Sequence, residues 1–336
     1  MDSPKYSKNN HKNLGIEILR MILCYWIITF HYAGMKNKLK YKILKTLFHV
    51  PTFMLISFYF FYNTFISNDI IKYKKRLIRL LVPYIIWPII FLAIVTSSHH
   101  FINVKKLLLN LLYQYLTGYK IYKVLWFVGS LIFLEIFFKI IHFLFNKQSL
   151  LILKILSIIS YLIQYKEINI NIFYSYPLYL KVVPRITEMM PIALTGLTLK
   201  NIDLLKTIKN DKIKNASFSM IIIFFIYNYN VFGKFKGFGF NGIEPNIAGI
   251  CLFIFFSLIP FNEIKNKIII SSITTATKNT GGIYYLQTII YTILIKFKYF
   301  NQRPFYRCFM IYIFGYIICI IFIKIFRNNK LKYLFY

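Results

Sequence analysis

Acidic residues are scarce: ten aspartates and glutamates face 42 lysines and arginines in 336 residues, a formal net charge of +32. An excess of that size invites a nucleic-acid reading, but its make-up points elsewhere. Only seven of the 42 are arginine. The lysines accompany abundant Ile, Asn, Phe and Tyr, the mixture an AT-rich coding bias produces. They fall in short loops between apolar runs, where anionic lipid headgroups attract them. Cysteine is also scarce. Cys24, Cys251, Cys308 and Cys319 lie in or beside apolar runs, with no CxxC or Cys/His spacing among them. That pattern gives no metal site and no disulfide framework, and leaves the four as small apolar filler. Missing too are a polar stretch long enough for a separate soluble domain, an internal repeat and a low-complexity segment. The first apolar stretch lacks a small-residue cleavage site and contains Arg20 and His31. It therefore reads as a retained span rather than a cleavable signal peptide.

What is present is hydrophobic. The chain is 58% apolar and 20% aromatic, with a mean hydropathy of +0.57, against about 45–50% apolar in soluble domains. Runs of spanning length recur from Leu14 almost to Phe326. The expected fold is all-α, a polytopic transmembrane helical bundle of about ten to eleven helices. Spans are expected near 14–34, 47–67, 77–98, 124–145, 149–165, 168–183, 187–200, 216–232, 246–261, 281–298 and 306–326. Segment 101–117 reads as a surface helix or re-entrant piece. The domain plan is a basic tail at 1–13, one membrane domain at 14–327 and a short basic tail at 328–336. Lys5, Lys8 and Lys12 place the first tail in the cytoplasm by the positive-inside rule, with the body of the chain in the cell membrane. The loops at 35–46 and 68–79 are both lysine-rich, and they cannot both be cytoplasmic if 47–67 crosses fully. The second, with Arg76 and Arg79, is favoured. GKFKGFGFNG at 233–242 reads as a flexible loop.

Arg20 and His31 stand out among the polar residues at membrane depth. Eleven steps at about 100° per residue end about 20° past three full turns, so both lie on one stripe of one helix, about 16 Å apart. A guanidinium at one end and an imidazole at the other suit a long anionic ligand with proton chemistry at its far end. Arg76 and Arg79, i and i+3 before LLVPYIIW, could clamp a phosphate or anchor the chain by snorkelling. His49 precedes Pro51, which frees backbone carbonyls near a span start. Ser57, deeper in that span, reads as a packing residue. Trp126 and Phe127 follow Lys120 and Lys123 as an aromatic belt would. Arg185 and Glu188 could neutralise each other between Pro184 and Pro191. Glu135 lies in an apolar run without an assigned role, and His99, His100 and His142 have no partner at metal-ligand spacing.

These pieces occur in an order that resembles the acyltransferase 3 family of integral membrane acyltransferases. LRMILCYWIITFH looks like its R-x10-H motif, at Arg20 and His31. LFHVPTFMLISFYFF resembles its second-helix pattern through His49, Pro51 and Ser57, and KRLIRLLVPY its R-x-x-R-x-x-x-P pattern through Arg76, Arg79 and Pro83. LWFVGSLI, at Trp126 and Phe127, is similar to its L-W-F-L segment, and PRITEMMPIALTGLTL to a later one through Arg185, Pro191 and Gly196. NTGGIYYLQTII looks like the terminal G-I-Y-L-x-H element. The chain departs from the pattern twice. Phe58 stands for the glycine after Ser57. Gln287 stands for the late histidine, keeping a donor and an acceptor but losing the capacity to act as a base.

The resemblance implies transfer of an acyl group, most often acetyl, from cytoplasmic acyl-CoA to a hydroxyl of a lipid-linked or cell-surface sugar. No cofactor is held permanently; acetyl-CoA enters as the acyl donor. Arg20, Arg76, Arg79 and Arg185 are then expected at the CoA phosphates. His31 is expected as general base or as transient acyl carrier, with His49 as a second candidate, and Ser57, Trp126 and Gln287 on the acceptor side. Partners are acyl-CoA, the sugar or glycolipid acceptor, the bilayer, and glycan synthesis or export proteins. Nucleic acid and metal are not expected. Two other readings stay open. One is a polysaccharide or lipid-linked sugar transporter or flippase, which should show inverted repeats. The other is a degenerate family member that binds without transferring, for which Gln287 is the motive.

Overall fold

In the computed structural model, residues 13–33, 49–67, 69–96, 104–117, 123–165, 182–203, 206, 211–232, 243–259 and 266–335 are described. Twelve helices of at least 12 residues run through them. They are α1 (Leu14–Tyr32), α2 (His49–Phe65), α3 (Ile70–Thr96), α4 (Val104–Thr117), α5 (Trp126–Phe145), α6 (Ser149–Tyr165), α7 (Val182–Asn201), α8 (Lys212–Phe232), α9 (Ile243–Leu258), α10 (Lys267–Lys278), α11 (Thr280–Leu294) and α12 (Pro304–Ile325). Short side chains start them. The Asn13 carboxamide accepts from the Ile16 amide, Asp69 from the Lys72 amide, and Asn266 from the amides of Ile268 and Ile269, satisfying donors that a first turn leaves open. Asn146 joins α5 to α6 at φ 41°, a left-handed position that asparagine tolerates.

The architecture is all-helical among the described residues, as expected, and four segments are long and apolar enough to cross a membrane: Leu14–Tyr32, Ile70–Ile94, Trp126–Leu162 and Pro304–Ile325. Several other expected spans are shorter helices, with 17 residues in α2, 16 in α9 and 15 in α11, below the ~20 that cross a bilayer unaided. The expected span at 168–183 and the loops at 35–46 and 233–242 lie outside the described residues, apart from 182–183, which open α7. One boundary is corrected. The span expected at 77–98 starts at Ile70, and α3 runs unbroken through Pro83 and Pro88. Lysine and arginine are good helix formers with stems long enough to lift their charges to the interface, so 68–79 is mostly helix rather than loop. The helix α10 was not expected, because KIIISSITTATK is too polar to read as a span.

Two apolar cores meet at α1. The first joins Ile16, Leu19 and Leu23 to Met54, Phe58, Phe61, Phe138, Ile192 and Phe253. The second joins Cys24 and Ile28 to Trp87, Ile283, Ile290, Cys308 and Cys319. Small residues let the helices approach closely. A Cβ on Gly196 of α7 would lie 2.5 Å from the Leu55 carbonyl oxygen of α2. Because that obstacle is backbone, Gly196→Ala is expected to lower stability by about 1–3 kcal/mol. A drop in the thermal unfolding midpoint in detergent checks it.

Candidate active site

The stripe that carries Arg20 and His31 falls on the seam between the two cores. Ile16, Leu19 and Leu23 face one core and Cys24 and Ile28 the other. At about 100° per residue, Arg20, Ile27 and His31 point between these sets. Arg20 keeps 30% of its side chain exposed, and His31 is exposed. α2 flanks the seam on one side and α11 on the other.

At the Arg20 end the guanidinium is loosely engaged. Arg20 reaches Glu17 at 3.4 Å and the Thr280 hydroxyl at 3.5 Å, both long for hydrogen bonds and correspondingly weak. Arg76 is firmly held. Its Nε and Nη2 both donate to Oε1 of Glu135, at 2.8 and 2.6 Å. Nη2 also donates to the Ser57 carbonyl at 3.1 Å, and the guanidinium lies 5.1 Å from the Phe61 ring centroid. Glu135 is 0% exposed. Arg76 and Arg79 therefore do not form one fork. Arg79 is exposed and lies over the Tyr333 ring at 5.7 Å. Ser57 takes part through its carbonyl. Arg185 falls in the first turns of α7, with its side chain and that of Glu188 outside the described residues.

At the other end the two histidines share a neighbour. The Phe30 ring lies 5.3 Å from His31 and 5.4 Å from His49, and His49 is buried and stacks on Trp26 at 6.2 Å. Tyr32 closes α1 by sharing a 2.7 Å hydrogen bond with Thr288 and stacking on Tyr291 at 4.4 Å. Arg307 of α12 donates to the Tyr32 carbonyl at 2.6 Å and lies over Tyr291 at 5.2 Å. It occupies one of the carbonyls that a helix end leaves open and so fixes the last turn, which carries His31. α11 runs beside α1 in register. Cys24 meets the Thr280 carbonyl and Tyr32 meets Thr288, both at a separation of 256 residues. The same offset sets Gln287 level with His31. Trp126 is buried in the first core, not in an interfacial belt. Its neighbour Phe127 bridges Phe53 at 6.4 Å and Tyr284 at 6.3 Å.

Sequence reasoning missed the roles of Glu135 and Arg307. Each is one of the few charges inside or at the edge of an apolar run, and a charge at that depth is the signal that marks them.

The geometry meets one informative comparison. A protein family described as an acyltransferase domain matches residues 13–326, nearly the whole chain. No curated protein and no solved structure matches it.

Proposed function

Because the chain belongs to the acyltransferase 3 family and is an all-helical protein with apolar segments of spanning length, we propose that it is a membrane O-acyltransferase moving an acyl group, most often acetyl, from acyl-CoA to a sugar hydroxyl. One observation carries this reading: a single seam along α1 has a loosely engaged guanidinium at one end and an exposed imidazole about 16 Å away at the other. The first suits the phosphates of CoA, since arginine stays charged and makes paired bonds to phosphate oxygens. The pantetheine arm lies along the seam and brings its thioester to His31. His31 takes the proton of the acceptor hydroxyl as that oxygen attacks the thioester carbonyl. Collapse of the tetrahedral adduct breaks the C–S bond, and the departing thiolate takes the proton from the imidazolium.

Arg20 carries a quantitative expectation. Arg20→Lys keeps the charge but loses the fork, so the apparent KM for acetyl-CoA should rise about fivefold to tenfold, and further in Arg20→Ala. Steady-state kinetics on membranes checks this; an Arg20→Ala enzyme with wild-type KM removes the clamp role. The function itself is tested by mass spectrometry of surface glycans from wild-type and deletion cells. Loss of an acyl mass increment from a glycan that is still exported supports the enzyme. Loss of the glycan itself, with acylation unchanged on what remains, favours a transporter and overturns the proposal.

A further inference from the structure

Beyond α12 the chain folds back into the bundle. The Asn329 carboxamide accepts from the Leu331 amide at 3.1 Å and starts a tight helical turn, Lys330–Leu334. This strap is wedged between α3, α11 and α12. The Trp87 indole of α3 donates to the Leu334 carbonyl at 3.2 Å. The Phe335 ring meets Trp87 at 5.9 Å and stacks on Phe322 of α12 at 4.7 Å. A Cβ on Gly282 of α11 would lie 2.5 Å from the Phe335 carbonyl oxygen, so only glycine fits there. Leu334 and Phe335 are buried, and they anchor the strap.

The residues just before these anchors face outward. Lys332 and Tyr333 are half-buried, and Arg79 beside them is exposed. The Arg79 guanidinium and the Lys332 ammonium each lie 5.7 Å from the Tyr333 ring centroid, close to the ~6 Å limit of cation–π attraction. Lys332 also donates to the Arg327 carbonyl at 3.1 Å. Among the described residues no carboxylate forms an ion pair with Arg79 or Lys332. The cluster stands at the Arg20 end of the molecule. Arg20 reaches Thr280, and Gly282, two residues on, meets the strap. Arg79 follows Arg76 by three residues, and Arg76 reaches the Ser57 carbonyl halfway along α2. The first turn of α11 thus stands between Arg20 and the strap, a separation of about one helix diameter, ~10–12 Å.

We propose that the strap supplies the nucleotide subsite of the donor, with Tyr333 stacking on its adenine and Lys332 joining Arg79 at its phosphates. An aromatic ring offers a face to any base. A guanidinium and an ammonium with no carboxylate to neutralise them favour phosphate oxygens. The adenine takes the ring face from two loosely held cations, which turn to the phosphates. Arg20, across the first turn of α11, is left to the phosphate next to the pantetheine arm. The assignment rests on the acyltransferase reading with acyl-CoA as donor, and adds to it the strap residues that recognise the nucleotide.

The test follows CoA release from acetyl-CoA by full-length protein in phosphatidylcholine vesicles, with deacylated surface glycan from the deletion strain as acceptor. Wild type is compared with Lys332→Gln, Tyr333→Leu and the double variant. The apparent KM for acetyl-CoA is expected to rise about fivefold in each single variant and at least about tenfold in the double. ADP, a nucleotide without the arm, should compete with acetyl-CoA in wild type and at least about fivefold more weakly in the double variant. Pantetheine, the arm without the nucleotide, should compete equally in both. The unfolding midpoint should hold, since Leu334 and Phe335 are untouched. Tyr333→Phe keeps the ring face and should keep the wild-type KM; a rise there equal to that in Tyr333→Leu overturns the stacking. An unchanged KM in the double variant, or no competition by ADP in wild type, overturns the subsite. So does an equal weakening of ADP and pantetheine, which makes the strap a support for the whole donor path. A KM difference that arises only when phosphatidylglycerol is added gives the cations to lipid phosphate and overturns it as well. Wild type that releases no CoA sinks the acyltransferase reading instead, a result separate from any variant outcome.

Discussion

Replacing His31 with alanine is expected to lower acyl transfer by about 10²–10⁴-fold, the usual contribution of a positioned general base, while the protein still folds. The second half follows from where the residue sits. Its side chain is exposed and belongs to neither core, so truncation opens no cavity of the kind that destabilises. The last turn of α1 stays in place through Arg307 on the Tyr32 carbonyl and Tyr32 on Thr288. What is lost is the imidazole alone. His49→Ala is the instructive contrast. That ring is buried against Trp26 and Phe30, so its removal should lower the unfolding midpoint along with any loss of rate. Labelled-acetyl transfer measured beside thermal unfolding separates the two. A folded His31→Ala protein that transfers at the wild-type rate would remove His31 from the chemistry.

The stripe through Arg20 and His31 was legible in the sequence because helical periodicity is local, and eleven residues fix the relative direction of two side chains whatever surrounds them. The helical class was legible for the same reason, from apolar runs alone. Partnership was not. Glu135 meets Arg76 across 59 residues, and Arg307 meets Tyr32 across 275. No spacing rule reaches that far, and only the membrane depth of each charge could have marked it. The separation of Arg76 from Arg79 escaped as well, because an i, i+3 spacing puts two residues on one face but leaves long side chains free to choose different neighbours. The start of α3 was misplaced because a run of lysines and arginines reads as a loop, although those side chains favour helix and lift their charges clear.

Arg76 poses the sharpest question, since it holds a buried carboxylate and is also expected at the donor phosphates. Arg76→Ala is expected to destabilise the protein by about 3–5 kcal/mol, because it leaves Glu135 charged, buried and unpaired. Any loss of activity in that variant is therefore ambiguous by itself. The double variant Arg76→Met with Glu135→Leu resolves it. Apolar residues of similar volume commonly replace a buried ion pair with no loss of stability, so the unfolding midpoint should return to the wild-type value or above it. The two roles then part. If Glu135 serves to hold the Arg76 guanidinium in place for the donor, Arg76 takes a phosphate alongside its buried partner. The stable double variant should then keep an apparent KM for acetyl-CoA raised about tenfold. If Arg76 is a strut for α3 against α5 and nothing more, the double variant recovers both the unfolding midpoint and the KM. Two measurements on one stable protein thus tell a phosphate ligand from a structural tie, which the single substitution cannot do.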